Sequence, residues 1–252
     1  DFGDPVYLEG LRHLLAAYDA NAIDYPDGGA LVLSQIGQRL AARLSSIDQI
    51  KRLDPGVPAA KAPIFVLGLP RTGTTAMQRL LMSVPDLQGL EYWLGESPRP
   101  RPPRDTWEAF AEFRQCRDGL AAIRDVAPLI DAMHPMRADE GEECRLVMEQ
   151  SFGHSSFSLV SPLRPYQDWL FAADLTPHYR HFADVLRLIG STSPTRTWVL
   201  KCPHHSPQVD SLLQAFPDAR IILMHRPIAD VIASVARLTE AFLGMVEGPG
   251  LD

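Results

Sequence analysis

Apolar positions in the first fifty residues recur at helical spacing. Leu8, Leu11, Leu15 and Tyr18 fall three or four apart, as do Leu33, Ile36, Leu40, Leu44 and Ile47. Such stripes predict amphipathic helices that pack by one face, and "YPDGG" (Tyr25 to Gly29) between them predicts a turn. The pattern then changes. "PIFVLG" (Pro63 to Gly68) is a short continuous apolar run closed by glycine, as expected of a buried parallel strand. From Thr74 the helical period returns through Met77, Leu80, Leu81 and Val84, and Pro85 ends it.

The last third alternates in the same way. Thr176-Pro177 opens a helix carrying Tyr179, Phe182, Leu186 and Ile189, with Gly190 to end it. "TWVLK" (Thr197 to Lys201) reads as a strand, Ser206 to Phe216 as a helix with Pro207 in its first turn, "ARIILMH" (Ala219 to His225) as a strand, and Pro227 to Leu238 as a helix. That order predicts parallel strands joined by right-handed crossovers. Ligands in such folds bind at the carboxyl ends of the strands, marked here by Gly68, Lys201 and Arg226. The expected fold class is α/β, a P-loop-type three-layer α/β/α arrangement with a central parallel sheet and an N-terminal helical region. Residues 1–62 form the helical region and residues 63–252 a P-loop-like domain, together one structural unit.

Two segments between these blocks are unusual. "SPRPRPPR" (Ser97 to Arg104) is too rich in proline for a helix or a central strand. It is expected to run extended as an ordered loop over the cleft, its arginines facing an anionic ligand or water. In "ADEGEEC" (Ala138 to Cys144), Asp139 with Glu142 fits a capping box at a helix N-terminus.

Composition narrows the classes. With 46% hydrophobic and 22% charged residues the chain is an ordinary globular protein. A net charge of −7 argues against a general nucleic-acid binder, which would be basic. Cys116, Cys144 and Cys202 show neither zinc spacing nor a disulfide framework. They are expected to be reduced thiols in a cytoplasmic protein. No apolar run approaches the ~18 residues of a membrane span.

The richest chemistry lies in "FVLGLPRTGTT" (Phe65 to Thr75). Gly68 and Gly73 stand at the spacing of a phosphate-binding loop, but Thr74 occupies the place of its lysine and Arg71 lies inside it. Backbone N–H groups of such a loop, at a helix N-terminus, form an anion site without a lysine. Thr74 and Thr75 add hydroxyls and Arg71 a fixed charge. The missing lysine normally contacts β- and γ-phosphates, so the loop suits a shorter anion, such as one phosphate bearing one sulfonate. Lys201 is placed to supply the charge near the reacting group.

At these residues the chain resembles sulfotransferases that use 3′-phosphoadenosine 5′-phosphosulfate (PAPS), closest to a bacterial group related to tyrosylprotein sulfotransferases. "FVLGLPRTGTTAMQRLLMSVPDL" is similar to their 5′-phosphosulfate loop, and "WVLKCPHHSPQVDSLLQAFPDARIILMHRPIADVIASV" to their second block. The resemblance implies that Thr72, Gly73, Thr74 and Thr75 hold the 5′-phosphosulfate and that Arg71 faces the sulfonate. Arg226 and Ser234 would hold the 3′-phosphate, and Lys201 would stabilise charge at the transferring group. It implies sulfonate transfer by in-line displacement to a hydroxyl or amine, with 3′-phosphoadenosine 5′-phosphate (PAP) as product and no metal. Relatives continue beyond the last helix, so the domain is expected to be incomplete at its C-terminus.

The general base is the least determined part. Tyr92 stands where the tyrosyl relatives carry a glutamate, with Glu91 just before it. Glu91 is taken first, His134 second and Glu96 third, with Glu140 as a fourth candidate. His204, His205 and His225 are given no catalytic role. The acceptor is expected to be a small or lipid-like molecule, and Trp93, Trp107, Phe152, Phe157 and Trp169 offer either core or an apolar acceptor pocket. Two other functions stay open at this point. One is a small-molecule kinase, which would call for a lysine at Thr74. The other is a non-catalytic nucleotide-binding module. Oligomeric state is not readable.

Overall fold

The computed structural model describes residues 1–21, 28–158 and 163–247. Two long helices come first, α1 (Val6–Asn21) and α2 (Gly28–Arg52). Of the turn expected at Tyr25 to Gly29, residues 25–27 lie outside the described residues, while Gly28 and Gly29 open α2. Strand β1 (Ile64–Leu67), α3 (Thr74–Met82), β2 (Leu87–Gln88), α4 (Tyr92–Glu96), α5 (Ala111–Val126), α6 (Pro128–Met133) and α7 (Arg145–Met148) follow. The chain continues through α8 (Arg164–Ala172), α9 (Thr176–Gly190), β3 (Thr197–Lys201), α10 (Val209–Ala215), β4 (Arg220–Leu223) and α11 (Ile228–Glu247).

The four strands form one parallel sheet in the order β2-β3-β1-β4, and helices surround it. Phe65, Val66 and Leu67 in the centre are buried, as are Trp198 to Leu200 beside them. This is the continuous burial that an apolar run without alternation implies. The edge strand β4 behaves differently: Ile221 and Leu223, two positions apart and so on one face of the sheet, stand exposed. The short β2 escaped the pattern analysis, since two residues carry no periodicity. The helix expected from Ser206 begins instead as a 3₁₀ turn (Pro203–Gln208) around Pro207, which cannot donate an α-helical bond.

The apolar stripes of α1 and α2 pack on the sheet domain. Leu14, Ala17 and Ile36 belong to the main core. A buried ionic strut adds to this contact: Arg39 of α2 reaches Glu96 at 2.9 Å and Glu149 at 3.2 Å. Among the described residues no helix is long and apolar enough to cross a membrane.

The register sets the functional end of the sheet. Val66 pairs with Lys201 and with Ile222, so the carboxyl ends of β3, β1 and β4 open side by side. Gly68 follows β1 at φ 142°, and a Cβ there would lie 2.6 Å from the Met224 carbonyl oxygen. Only glycine lets the loop leave β1 this close to β4.

Candidate active site

The loop from Gly68 to Thr75 turns sharply into α3. Arg71 and Gly73 both sit at positive φ, 68° and 91°. Gly73 is the N-cap of α3 and offers no side-chain cap. The first-turn N–H groups, including those of Thr74 and Thr75, therefore have no partner within the helix and present a partial positive charge. That arrangement fits a phosphate or sulfate oxygen. The Thr72 hydroxyl donates to the Leu69 carbonyl at 2.7 Å and closes the loop on itself.

Lys201 ends β3 with its side chain buried, and its ammonium lies 2.8 Å from Glu143 Oε1. Glu143 reaches it because residues 141–144 are strung between two fixed points. Glu142 N–H donates to the Leu90 carbonyl, and Cys144 N–H donates to the Lys201 carbonyl. Gln78 of α3 donates to the Glu142 carbonyl, tying this segment to the loop helix. Glu142 lies 3.4 Å from His134 Nε2. Atoms of His134, Glu142 and Glu143 lie within 4.8 Å of one another. Arg71 completes the cluster by donating to the Met133 carbonyl at 2.6 Å and to Ser234 Oγ at 3.0 Å. Arg226 donates to the Arg71 carbonyl at 3.3 Å and pairs with Asp230 at 3.5 Å.

Of the residues singled out in the sequence, Arg71, His134, Lys201, Arg226, Ser234 and the Gly73–Thr75 turn are thus brought to one end of the sheet. Glu91 is not. Its carboxylate is held by Arg101 at 2.9 Å and lines a separate cavity of about 550 Å³ with Gln88, Arg104 and Arg196. Neither the loop nor the end of β3 contributes to that cavity. Glu96 is held by Arg39, and Glu140 by Arg79 at 2.5 Å. Tyr92 accepts from Arg145 at 3.1 Å. Burial pushes its phenol up to about 12, which removes it as a base near neutral pH.

Two other expectations are corrected. The arginines of the proline-rich segment face carboxylates rather than a ligand: Arg99 pairs with Glu112, Arg101 with Glu91 and Arg104 with Asp139. Asp139 and Glu142 form no capping box, because α7 starts beyond them at Arg145 without a side-chain cap. Of the two readings left open for the aromatics, Trp93, Trp107, Phe152 and Phe157 lie in the core, Trp93 edge to face with Trp107 and Phe152 stacked on Phe157, and Trp169 stacks on His13 of α1. Glu143, by contrast, went unnoticed as a site residue. Its only sequence signal is a place in an acidic run, which a helix cap explained more simply.

Electrostatics separates the two acids of the cluster. Burial alone would raise the Glu143 carboxyl; the Lys201 ammonium, and then His134, outweigh it and hold the group at about 2. For Glu142 burial is again the largest influence, opposed by the hydrogen bond from His134, and the result lies below the usual carboxylate value. Burial would lower the Lys201 ammonium, but Glu143 keeps it above its usual value. A carboxyl depressed on folding contributes stability that is present above its unfolded value, near 4.5, and lost as pH falls towards about 2. Acid titration followed by circular dichroism should therefore show a loss in this window that Glu143→Gln lacks. Identical acid profiles for the two proteins would contradict the pairing.

His154, Cys202 and His204 also approach within 4.8 Å of one another. Hydrogen bonds account for all three. His154 Nδ1 meets Ser156 Oγ at 2.9 Å, its Nε2 meets Cys202 Sγ at 3.2 Å, and His204 Nδ1 meets Ser155 Oγ at 2.8 Å.

Residues 63–248 match the sulfotransferase family. Two solved structures are similar to the chain. Sulfotransferase STF1 from Mycobacterium tuberculosis H37Rv is 38% identical, with a TM-score of 0.87 over 95% of this chain and 67% of that one. Sulfotransferase STF9 from Mycobacterium avium is 28% identical, with a TM-score of 0.86 over 97% of this chain and 63% of that one. The chain thus spans about two thirds of the length of these structures. No curated protein matches it. The family match covers most of the chain and takes in both the phosphate loop and the lysine-bearing strand: the chain belongs to the sulfotransferase family and, with it, to the transferases.

Proposed function

We propose that this chain moves the sulfonate of PAPS to a hydroxyl or amine of a small acceptor by in-line displacement. The observation that carries this reading is the 2.8 Å pair of Lys201 and Glu143 at the strand end beside a lysine-free phosphate loop. The N–H groups of Gly73, Thr74 and Thr75 and the Thr74 and Thr75 hydroxyls hold the 5′-phosphosulfate end. Arg226 and Ser234 hold the 3′-phosphate, and both already contact Arg71.

PAPS supplies an activated sulfonate whose leaving group is the 5′-phosphate. Lys201, Arg71 and the loop amides neutralise the charge that builds on the departing oxygen. Lys201 can turn from Glu143 to that oxygen, and the turn frees Glu143 from the charge that keeps it a weak base. His134, oriented by Glu142, lies in the same cluster. His134 and Glu143 are therefore the two groups placed to take the acceptor's proton.

Conversion of PAPS to PAP, followed by ion-exchange chromatography, tests the reading. Water serves as a slow acceptor, so the assay does not depend on knowing the natural one. The chain is expected to release PAP, and His134→Asn or Glu143→Gln to slow that release by roughly 10²–10⁴-fold if the residue is the base. Absence of PAP release, with ADP formed from ATP instead, would contradict the proposal.

A further inference from the structure

The cavity of about 550 Å³ that takes in Glu91 lies beside the edge strand β2, and the phosphate loop has no part in it. Three stretches wall it: residues 87–91, the proline-rich segment at 101–104, and the turn at 192–196 between α9 and β3. Hydrogen bonds tie the three together. The Arg101 guanidinium donates to Gln88 Oε1, to the Gly89 carbonyl and to Glu91. Buried Gln88 donates in turn to the Ser193 and Arg196 carbonyls at 3.4 and 3.0 Å. The Thr192 hydroxyl closes the ring by donating to the Arg101 carbonyl at 2.9 Å. The walls are therefore fixed on one another, and the proline-rich segment is one of them.

Charge describes what fits inside. The lining carries three guanidinium groups, those of Arg101, Arg104 and Arg196, against one carboxylate among the described residues, that of Glu91. Arg101 takes that carboxylate. Arg104 pairs at the surface with Asp139, which is not part of the lining. Arg196 has no counter-charge: among the described residues its guanidinium meets the Leu87 carbonyl through Nη2 and no carboxylate. Its Nε is buried and closed to a ligand, whereas Nη1 keeps accessible surface and has no partner. A cleft lined mainly by one sign of charge focuses its field. Here an uncompensated arginine makes a positive pocket in a chain of net charge −7.

We propose that this cavity binds a small organic anion by a tetrahedral oxyanion group, a phosphate or sulfate ester, held by Arg196. The site is separate from the reacting one, and the inference does not rest on the sulfonate-transfer reading. A guanidinium suits such a group because its planar donors match two oxygens at once. Arg196 Nη1 contacts the oxyanion, with the Ser193 hydroxyl on the same turn, and Arg101 and Arg104 add to the field. The volume exceeds that of a bare oxyanion and falls within the range of small-molecule pockets, ~300–1,000 Å³. The ester therefore has a body, and it is a compact polar one of monosaccharide size, since Gln88, Thr192 and Ser193 share the lining.

Calorimetric titrations of the chain with glucose 6-phosphate, glucose 6-sulfate and glucose test this. At least one ester is expected to bind saturably and glucose not, and the tighter ester tells the phosphate source from the sulfate source. Arg196→Gln keeps a donor for the Leu87 carbonyl and should weaken the ester by about tenfold or more, the effect of losing one hydrogen-bonded charge. Ser193→Asp sets a carboxylate on the same wall and should weaken it as much, so the test survives if Arg196→Gln fails to fold, which thermal unfolding reports. Arg226→Ala, beyond β4 at the opposite edge of the sheet, should leave ester binding within about twofold. Lack of saturable binding by both esters would overturn the site. So would equal binding of glucose, or ester binding that Arg196→Gln and Ser193→Asp leave within about twofold. Loss in Arg226→Ala instead would place the ester at the phosphate loop and overturn it as well.

Discussion

Replacing Lys201 with methionine is expected to lower PAPS turnover by about 10²–10³-fold, the usual cost of removing one preorganised contact to a developing oxyanion. Lys201 is the lysine at the carboxyl end of the buried strands that flank the loop, and its ammonium is held ready by Glu143 at 2.8 Å. The same substitution leaves the Glu143 carboxylate buried and unpaired. Breaking a buried pair in this way typically costs ~3–5 kcal/mol, so a loss of activity alone could reflect lost folding. The double variant Lys201→Met/Glu143→Gln separates the two effects. It is expected to recover most of the stability, read by chemical denaturation, and none of the turnover. Turnover near that of the parent in either variant would remove Lys201 from the reaction.

Arg226→Ala is expected to weaken PAP binding by roughly 10–150-fold, from the ~1.5–3 kcal/mol that a hydrogen bond to a charged group contributes. Stability should hardly change. Arg226 is half-exposed and its partner Asp230 likewise, and such surface pairs contribute ~0–1 kcal/mol. The lost affinity should also be the salt-sensitive part, since screening acts most on exposed charges. Titrations at two ionic strengths should converge for the variant and diverge for the parent. Asp230→Ala offers the opposite sign: it frees the guanidinium and should tighten PAP. Unchanged PAP affinity in Arg226→Ala would place the 3′-phosphate elsewhere.

The sheet end was legible in the sequence because its elements are local. A strand, a glycine-bounded turn and a helix occur in order, and Gly68, Lys201 and Arg226 mark strand ends without knowledge of any long-range contact. The base was not legible for the opposite reason. Glu143 meets Lys201 across 58 residues only because Leu90 and Lys201 pin the segment between them. Glu91 reads as a base in the sequence, yet Arg101, ten residues on in the proline-rich segment, takes it. Charge pairing across loops decides such cases, and periodicity carries no information about it. The aromatic residues illustrate a related limit: Trp93 and Trp107 meet edge to face in the core, whereas a cavity beside the phosphate loop is lined by Leu69, Leu170 and the histidines after Lys201.

The most direct test of the central claim is calorimetric titration of the chain with PAP, and separately with ATP and magnesium. The account predicts that PAP binds and that ATP with magnesium does not, because Thr74 stands where a triphosphate loop has its lysine. Binding of ATP with magnesium and not of PAP would contradict it.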